Sequence, residues 1–178
     1  MASPPCCMVI FNLYPCIMGG GILPVAIHDN KLFFLFGKEV YDGKWSDFGG
    51  GKENTESPFQ TAVREGCEEL NGFFGCRSAL ERLVRTNMVM EMQQKQYTVY
   101  IFRHMYDENL PFYFDNNHVF IRQRLPKMID KNGLFEKSKV AWFSTKEMRE
   151  KKSSFRPFYR EVIEKILLHE KDILKSMK

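Results

Sequence analysis

The sequence has no 18-residue uncharged apolar run of the kind that crosses a bilayer as a helix, so neither a membrane span nor a membrane partner is expected. It has no Cys-x-x-Cys pair: Cys6, Cys7, Cys16, Cys67 and Cys76 form an odd, scattered set. That argues against a zinc site and against a disulfide framework, and for a reducing compartment, so a cytoplasmic location is expected. No basic segment opens the chain. Its first 27 residues are apolar, but Pro4, Pro5, Pro15 and Gly19 to Gly21 interrupt them, and residues 1–16 read as an arm rather than a signal peptide. Internal repeats and low-complexity tracts are absent as well. What is present is 178 residues with 44% apolar and 14% aromatic content, enough for one domain over 1–178 with a core that needs no staples.

Two familiar strings are fragments only. Asp47-Phe48-Gly49 spells part of a kinase signature, but no kinase catalytic loop or glycine-rich loop precedes it. Gly51-Lys52 begins the end of a phosphate loop, yet Glu53 stands where Ser or Thr is required.

The informative stretch runs from Gly49 to Gly72, a glycine loop followed by a helix. Ser57 fits the N-cap, Pro58 the first helical position, and Gln60 closes a capping box. Asn71 and Gly72, both tolerant of positive φ, would end the helix. Glu65, Glu68 and Glu69 fall at i, i+3 and i+4, within reach of one another. Such like-charge pairs cost ~0.2–0.5 kcal/mol each in an isolated helix, and Arg64 alone is near enough in sequence to relieve them. Clustered carboxylates of this kind suit a hard divalent cation, which takes oxygen ligands.

At these residues the chain resembles the Nudix hydrolase superfamily, whose box reads G-x5-E-x7-R-E-U-x-E-E-x-G-U with U aliphatic. Gly50, Glu56, Arg64, Glu65, Glu68 and Glu69 match its six chemical positions at the right spacing. Gly66, Asn71 and Gly72 depart from the pattern, and a one-residue insertion before Gly72-Phe73 restores the ending. A glycine inside a helix costs about 1 kcal/mol against alanine, so Gly66 implies either close backbone packing or a weakened helix.

The resemblance implies an α/β fold, an α/β/α sandwich around a central mixed sheet. It implies a pyrophosphatase acting on a nucleoside diphosphate linked to another moiety, with Mg²⁺ or Mn²⁺ as cofactor. Glu65, Glu68 and Glu69 would be catalytic and hold the metal together with the Gly49 carbonyl. Glu136, six residues before Trp142, corresponds to the extra glutamate that family members often supply from the loop before the last strand. The general base is then Glu65 or Glu136. Gly50, Glu56 and Arg64 are assigned structural work, and Lys52 is a candidate phosphate contact.

Outside the box, strands are expected at 22–28, 31–36, 45–48, 86–92, 96–106 and 139–143. Residues 107–117 read as a pocket-shaping loop, 118–125 as strand or helix, and 157–178 as an amphipathic C-terminal helix with a homodimer as one use for it. From residue 137 onward the chain has 12 Lys and Arg against 6 Asp and Glu, out of 26 against 22 overall. This basic end could hold capped RNA, which makes mRNA decapping with release of m7GDP one alternative to free nucleotides. A solvated helix face explains the same charge. Nucleotide or RNA binding without hydrolysis is a further alternative, although such proteins usually lack one or more of the box glutamates.

Overall fold

The computed structural model describes residues 19–129 and 134–177. The expected arm at 1–16, with Cys6, Cys7 and Cys16, lies outside them. β1 (Gly19–His28) and β2 (Lys31–Glu39) form a hairpin whose turn places both Asp29 and Asn30 at positive φ, the geometry that matches strand twist. The hairpin pairs from His28 and Lys31 as far as Val25 and Phe34. Beyond that point β1 pairs instead with β4 (Phe48–Gly51), Gly19 opposite Gly51, while β2 pairs with β3 (Trp45–Ser46). The parted hairpin thus makes a slot for the glycine strand in the middle of the sheet.

On its other edge β1 runs parallel to β6 (Tyr97–Arg103), which carries β5 (Met88–Gln94) antiparallel at the border. β7 (Lys137–Ser144) pairs antiparallel with β2. The result is a mixed seven-stranded sheet. Side chains alternate across it. Ile22, Phe48 and Phe102 pack with Ala62 of α1 (Pro58–Glu69), Leu80 of α2 (Arg77–Thr86) and Phe114 of α3 (Leu110–Arg124). Leu23, Phe36 and Ile101 face the opposite way, toward Met148 of α4 (Thr145–Glu150) and Ile163 of α5 (Arg160–Leu168), with Ile173 of α6 (Glu170–Ser176) in the same core. Helices on both faces of a mixed sheet make the expected α/β/α sandwich. Each fully buried Leu, Ile or Phe in it contributes roughly 1.5–3 kcal/mol.

Two expectations need correction. Residues 107–117 are not a loop: a turn at Asp107 (its Oδ1 accepting from the Asn109 N–H at 2.8 Å) leads into α3, which also absorbs the undecided 118–125. Leu110, Phe114, His118 and Ile121 turn inward, but Phe112, Tyr113, Val119 and Phe120 are exposed, so the apolar period is blurred. The C-terminal helix is also interrupted. A 3-10 turn at Pro157–Tyr159 precedes α5, and His169, at φ −93° and ψ 12°, separates α5 from α6. Val162, Ile163, Ile166 and Ile173 are consumed by the chain's own core, so this stripe is not free to pair with a second copy.

Candidate active site

The helix that carries the acidic residues has firm ends. Ser57 Oγ accepts from the Gln60 N–H at 3.2 Å and Gln60 Oε1 accepts from the Ser57 N–H at 2.8 Å. This reciprocal cap contributes about 1 kcal/mol. At the other end Asn71 and Gly72 take φ of 51° and 73°, and the Gly72 N–H donates to the Cys67 carbonyl at 3.2 Å. Asn71 Oδ1 also accepts from the Phe135 N–H at 2.9 Å, which anchors the segment carrying Glu136 beside the helix.

Arg64 joins the glycine strand to this helix. Its Nε donates to Glu56 Oε1 at 3.0 Å and its Nη2 donates to the Gly51 carbonyl at 3.0 Å. Its Nη1 lies 3.0 Å from Glu65 Oε1 and 3.3 Å from Glu68 Oε2. The hydrogen bonds from Arg64 hold the Glu56 carboxyl below the usual carboxylate range. Burial pushes Glu65 and Glu68 upward, against the pull of Arg64, and the nearby charge of Glu136 raises Glu65 further. Glu65 rests on the glycine strand: a Cβ on Gly50 would fall 2.5 Å from its carboxyl carbon. Only glycine leaves room for the carboxylate there.

Glu69 parts from its two neighbours. It is 3% exposed, accepts from the Gly49 N–H at 2.8 Å and lies 3.2 Å from Lys137 Nζ. Lys137, the first residue of β7, is fully closed to solvent and also donates to Glu39 and, at 2.9 Å, to Ser46 Oγ. Glu39 Oε1 takes two further donors, Ser46 Oγ at 2.8 Å and Arg156 Nη1 at 3.2 Å. Burial opposes the charge on Lys137, but Glu69 and Glu39 outweigh it and raise its pKa. Two basic side chains, Lys137 and Arg156, thus face two carboxyls, Glu39 and Glu69, and burial raises the pKa of Glu69 well above the usual carboxylate range against the pull of Lys137. Asp47 is the fifth ionisable side chain of the group, its pKa raised to about 7 chiefly by burial, and it accepts from the Tyr97 hydroxyl at 3.1 Å.

Of the three carboxylates expected around one cation, Glu69 is held by Lys137, and Glu65 and Glu68 are held by Arg64. Among the described residues no three His, Cys, Asp or Glu side chains form a metal-holding group. Glu65 and Glu68 still fit a hard cation in donor chemistry, and the Gly50 cradle leaves the Glu65 carboxylate its space. Lys52 is exposed just past the strand, and Glu136 is exposed at the foot of β7.

A cavity of about 390 Å³ opens along the same glycine strand. Gly49, Gly50 and Gly51 line it with Tyr97, Arg156 and Phe158. The Phe158 ring is 48% exposed, meets Tyr97 edge-on at 5.9 Å, and has the Arg156 guanidinium 5.2 Å above its centroid. Sequence reading missed Arg156, Phe158 and Lys137. A lone lysine at a strand start and an Arg-Pro-Phe in a basic region look like solvated surface.

The basic C-terminal region is mostly paired. Lys139 meets Asp115, Lys146 Glu150, Arg149 Glu170, Lys151 Glu147 and Lys152 Glu164, while Lys165 donates to the Gln93 carbonyl.

No protein-family model matches the sequence, and no curated protein matches it. Solved structures do. A bifunctional NMN adenylyltransferase/ADP-ribose pyrophosphatase from Francisella tularensis, complexed with AMP and a Mn ion, superposes with a TM-score of 0.53 at 14% identity. The match covers 87% of this chain and 42% of that one. A Nudix hydrolase from M. smegmatis (TM-score 0.47, 13% identity, 84% and 83% covered) and a C. elegans Ap4A hydrolase (TM-score 0.45, 14% identity, 90% and 94% covered) are also similar. The first of these likenesses establishes the fold, a mixed sheet between helices.

Proposed function

We propose that this protein is a divalent-metal-dependent hydrolase that cleaves the pyrophosphate bond of a nucleoside diphosphate linked to another moiety, with a free nucleotide or nucleotide derivative as substrate. The observation that carries this reading is the glycine strand, which has the Glu65 carboxylate seated on Gly50 and also lines the cavity of Phe158 and Arg156. The cavity offers an aromatic face and a guanidinium, the groups that hold a base and a phosphate. The strand is the element the two share: its Gly50 faces Glu65 of the acidic helix and its Gly49 faces Tyr97 on the cavity side.

Glu65 and Glu68 would hold the cation, with Mg²⁺ or Mn²⁺ suited to their oxygens. Such a cation, when bound, neutralises the pyrophosphate and eases attack by water. The general base would be Glu65 or the exposed Glu136, whichever is not engaged by the cation. Arg64 keeps Glu65 facing the strand. Arg156, above Phe158, orients the substrate.

The free-nucleotide reading is placed ahead of cleavage of capped RNA because the cavity offers one aromatic face and one guanidinium, enough for a single base and a phosphate. The test is incubation with Mg²⁺ or Mn²⁺ and two substrate pools, a panel of free nucleotides and cap-labelled RNA. Hydrolysis of a nucleotide by the native protein, lost in Glu65→Gln and Glu68→Gln, is expected. Release of m7GDP alone would replace the substrate class. Ligand binding without turnover would make this a binding module.

A further inference from the structure

Lys137 is an unusual occupant of a sheet interior. Its side chain is fully closed to solvent, and its ammonium touches Glu39, Ser46 and Glu69. A buried ion pair is a poor source of stability, because desolvating the charges cancels most of their attraction and apolar residues of similar volume do as well. What such a pair does supply is a defined geometry. Here the geometry it defines is that of Glu69, whose other oxygen accepts the Gly49 N–H at 2.8 Å. With no partner on the inner side, a carboxylate at the end of α1 would turn outward, toward Glu65, one turn back.

We infer that Lys137 is a positioning residue for Glu69: its ammonium holds the last carboxylate of α1 against the Gly49 N–H, and thereby holds the glycine strand in register with the acidic helix. Lys137 itself touches none of the space that a substrate would fill. It acts through Glu69. Arg156, which lines the cavity, shares the Glu39 oxygen with Lys137, so the cavity wall and the helix end are tied through one buried group.

The activity arm of the test rests on the hydrolase reading; the exchange arm does not. Amide hydrogen exchange at Gly49 is measured in the full chain, in Lys137→Met, and in Lys137→Met with Glu39→Gln. The double variant removes one charge of each sign, so it leaves one buried carboxylate fewer without a cation than the single variant does and is expected to be the more stable of the two. Exchange at Gly49 is expected to accelerate at least tenfold relative to the other β4 amides, since its acceptor is no longer held. In turnover, Lys137→Met is expected to lower kcat by roughly 10–100-fold with KM within about twofold, the size of effect that a small misplacement of the strand and helix holding the reacting groups produces. Added to Glu69→Gln, it should cause no further loss. Unchanged Gly49 exchange in a folded Lys137 variant would overturn the inference, as would losses that add to those of Glu69→Gln. A native protein with no turnover would defeat the hydrolase reading alone, and Gly49 exchange would still decide the role of Lys137.

Discussion

A Cβ placed on Gly66 would lie 2.6 Å from Cγ1 of Ile22 and closer still to its Cδ1. The glycine in the middle of α1 thus lets the helix sit directly on β1, at the strand that also pairs with the glycine strand. Of the two readings the sequence left open, close packing is the one observed. Gly66→Ala gains about 1 kcal/mol of helix propensity but must displace a fully buried side chain, which costs about 1–3 kcal/mol. The net expectation is destabilisation. Ile22→Val removes the nearest atom, so chemical denaturation of the two single variants and the double should show the pair more stable than their sum by about 1 kcal/mol.

Arg64→Lys should behave as a loss rather than a conservative change. Four oxygen-bearing partners surround one planar guanidinium, and an ammonium cannot reach the Glu56 carboxylate, the Gly51 carbonyl and the helix glutamates together. A stability loss of about 2 kcal/mol is expected, the value of a charge-assisted hydrogen bond or two. Denaturant melts measure it, and a kcat fall exceeding the fraction unfolded would show that Glu65 has also moved.

Phe158→Ala should weaken substrate binding without slowing the chemical step. The ring stands in the cavity wall beneath Arg156, and a base stacked on an aromatic ring is worth roughly 1–3 kcal/mol. KM for the nucleotide substrate should rise by roughly 5- to 150-fold at near-constant kcat. A change confined to kcat would place the base elsewhere.

His118 gives the stability of the fold a pH dependence of known sign. Burial between α3 and Phe135, and then the charge of Arg122, lower its pKa below 6.5, with Asp115 pulling weakly the other way. Above pH 6.5 the imidazole is neutral in folded and unfolded chains alike. As pH falls through 6.5 the unfolded chain takes the proton first, so stability declines, by at most about 1.4 kcal/mol per pH unit, until the folded pKa is passed. His118→Phe should flatten this part of the profile between pH 7.5 and 5.5 in urea melts.

Much of the fold was readable because its signals are local. The capping box at Ser57 and Gln60, the Asn71-Gly72 stop and the Asp29-Asn30 turn depend on residues a few positions apart, and each element formed where its chemistry pointed. α3 was not readable in this way. Its exposed Phe112, Tyr113, Val119 and Phe120 erase the contrast between faces that marks a helix in sequence.

The sequence by itself determined the spacing of Gly50, Glu56, Arg64, Glu65, Glu68 and Glu69, and with it the pairing of a glycine strand to an acidic helix, because a 3.6-residue turn converts spacing into adjacency. Only the tertiary structure decided which way each carboxylate faces. Arg64 is an immediate neighbour and holds Glu65 and Glu68, but Lys137 comes from 68 positions beyond Glu69, brought there by β7 pairing with β2. Strand pairing at that distance leaves no periodic trace, and so a buried lysine, an inward glutamate and a cavity roofed by Arg156 appear only once the sheet has closed.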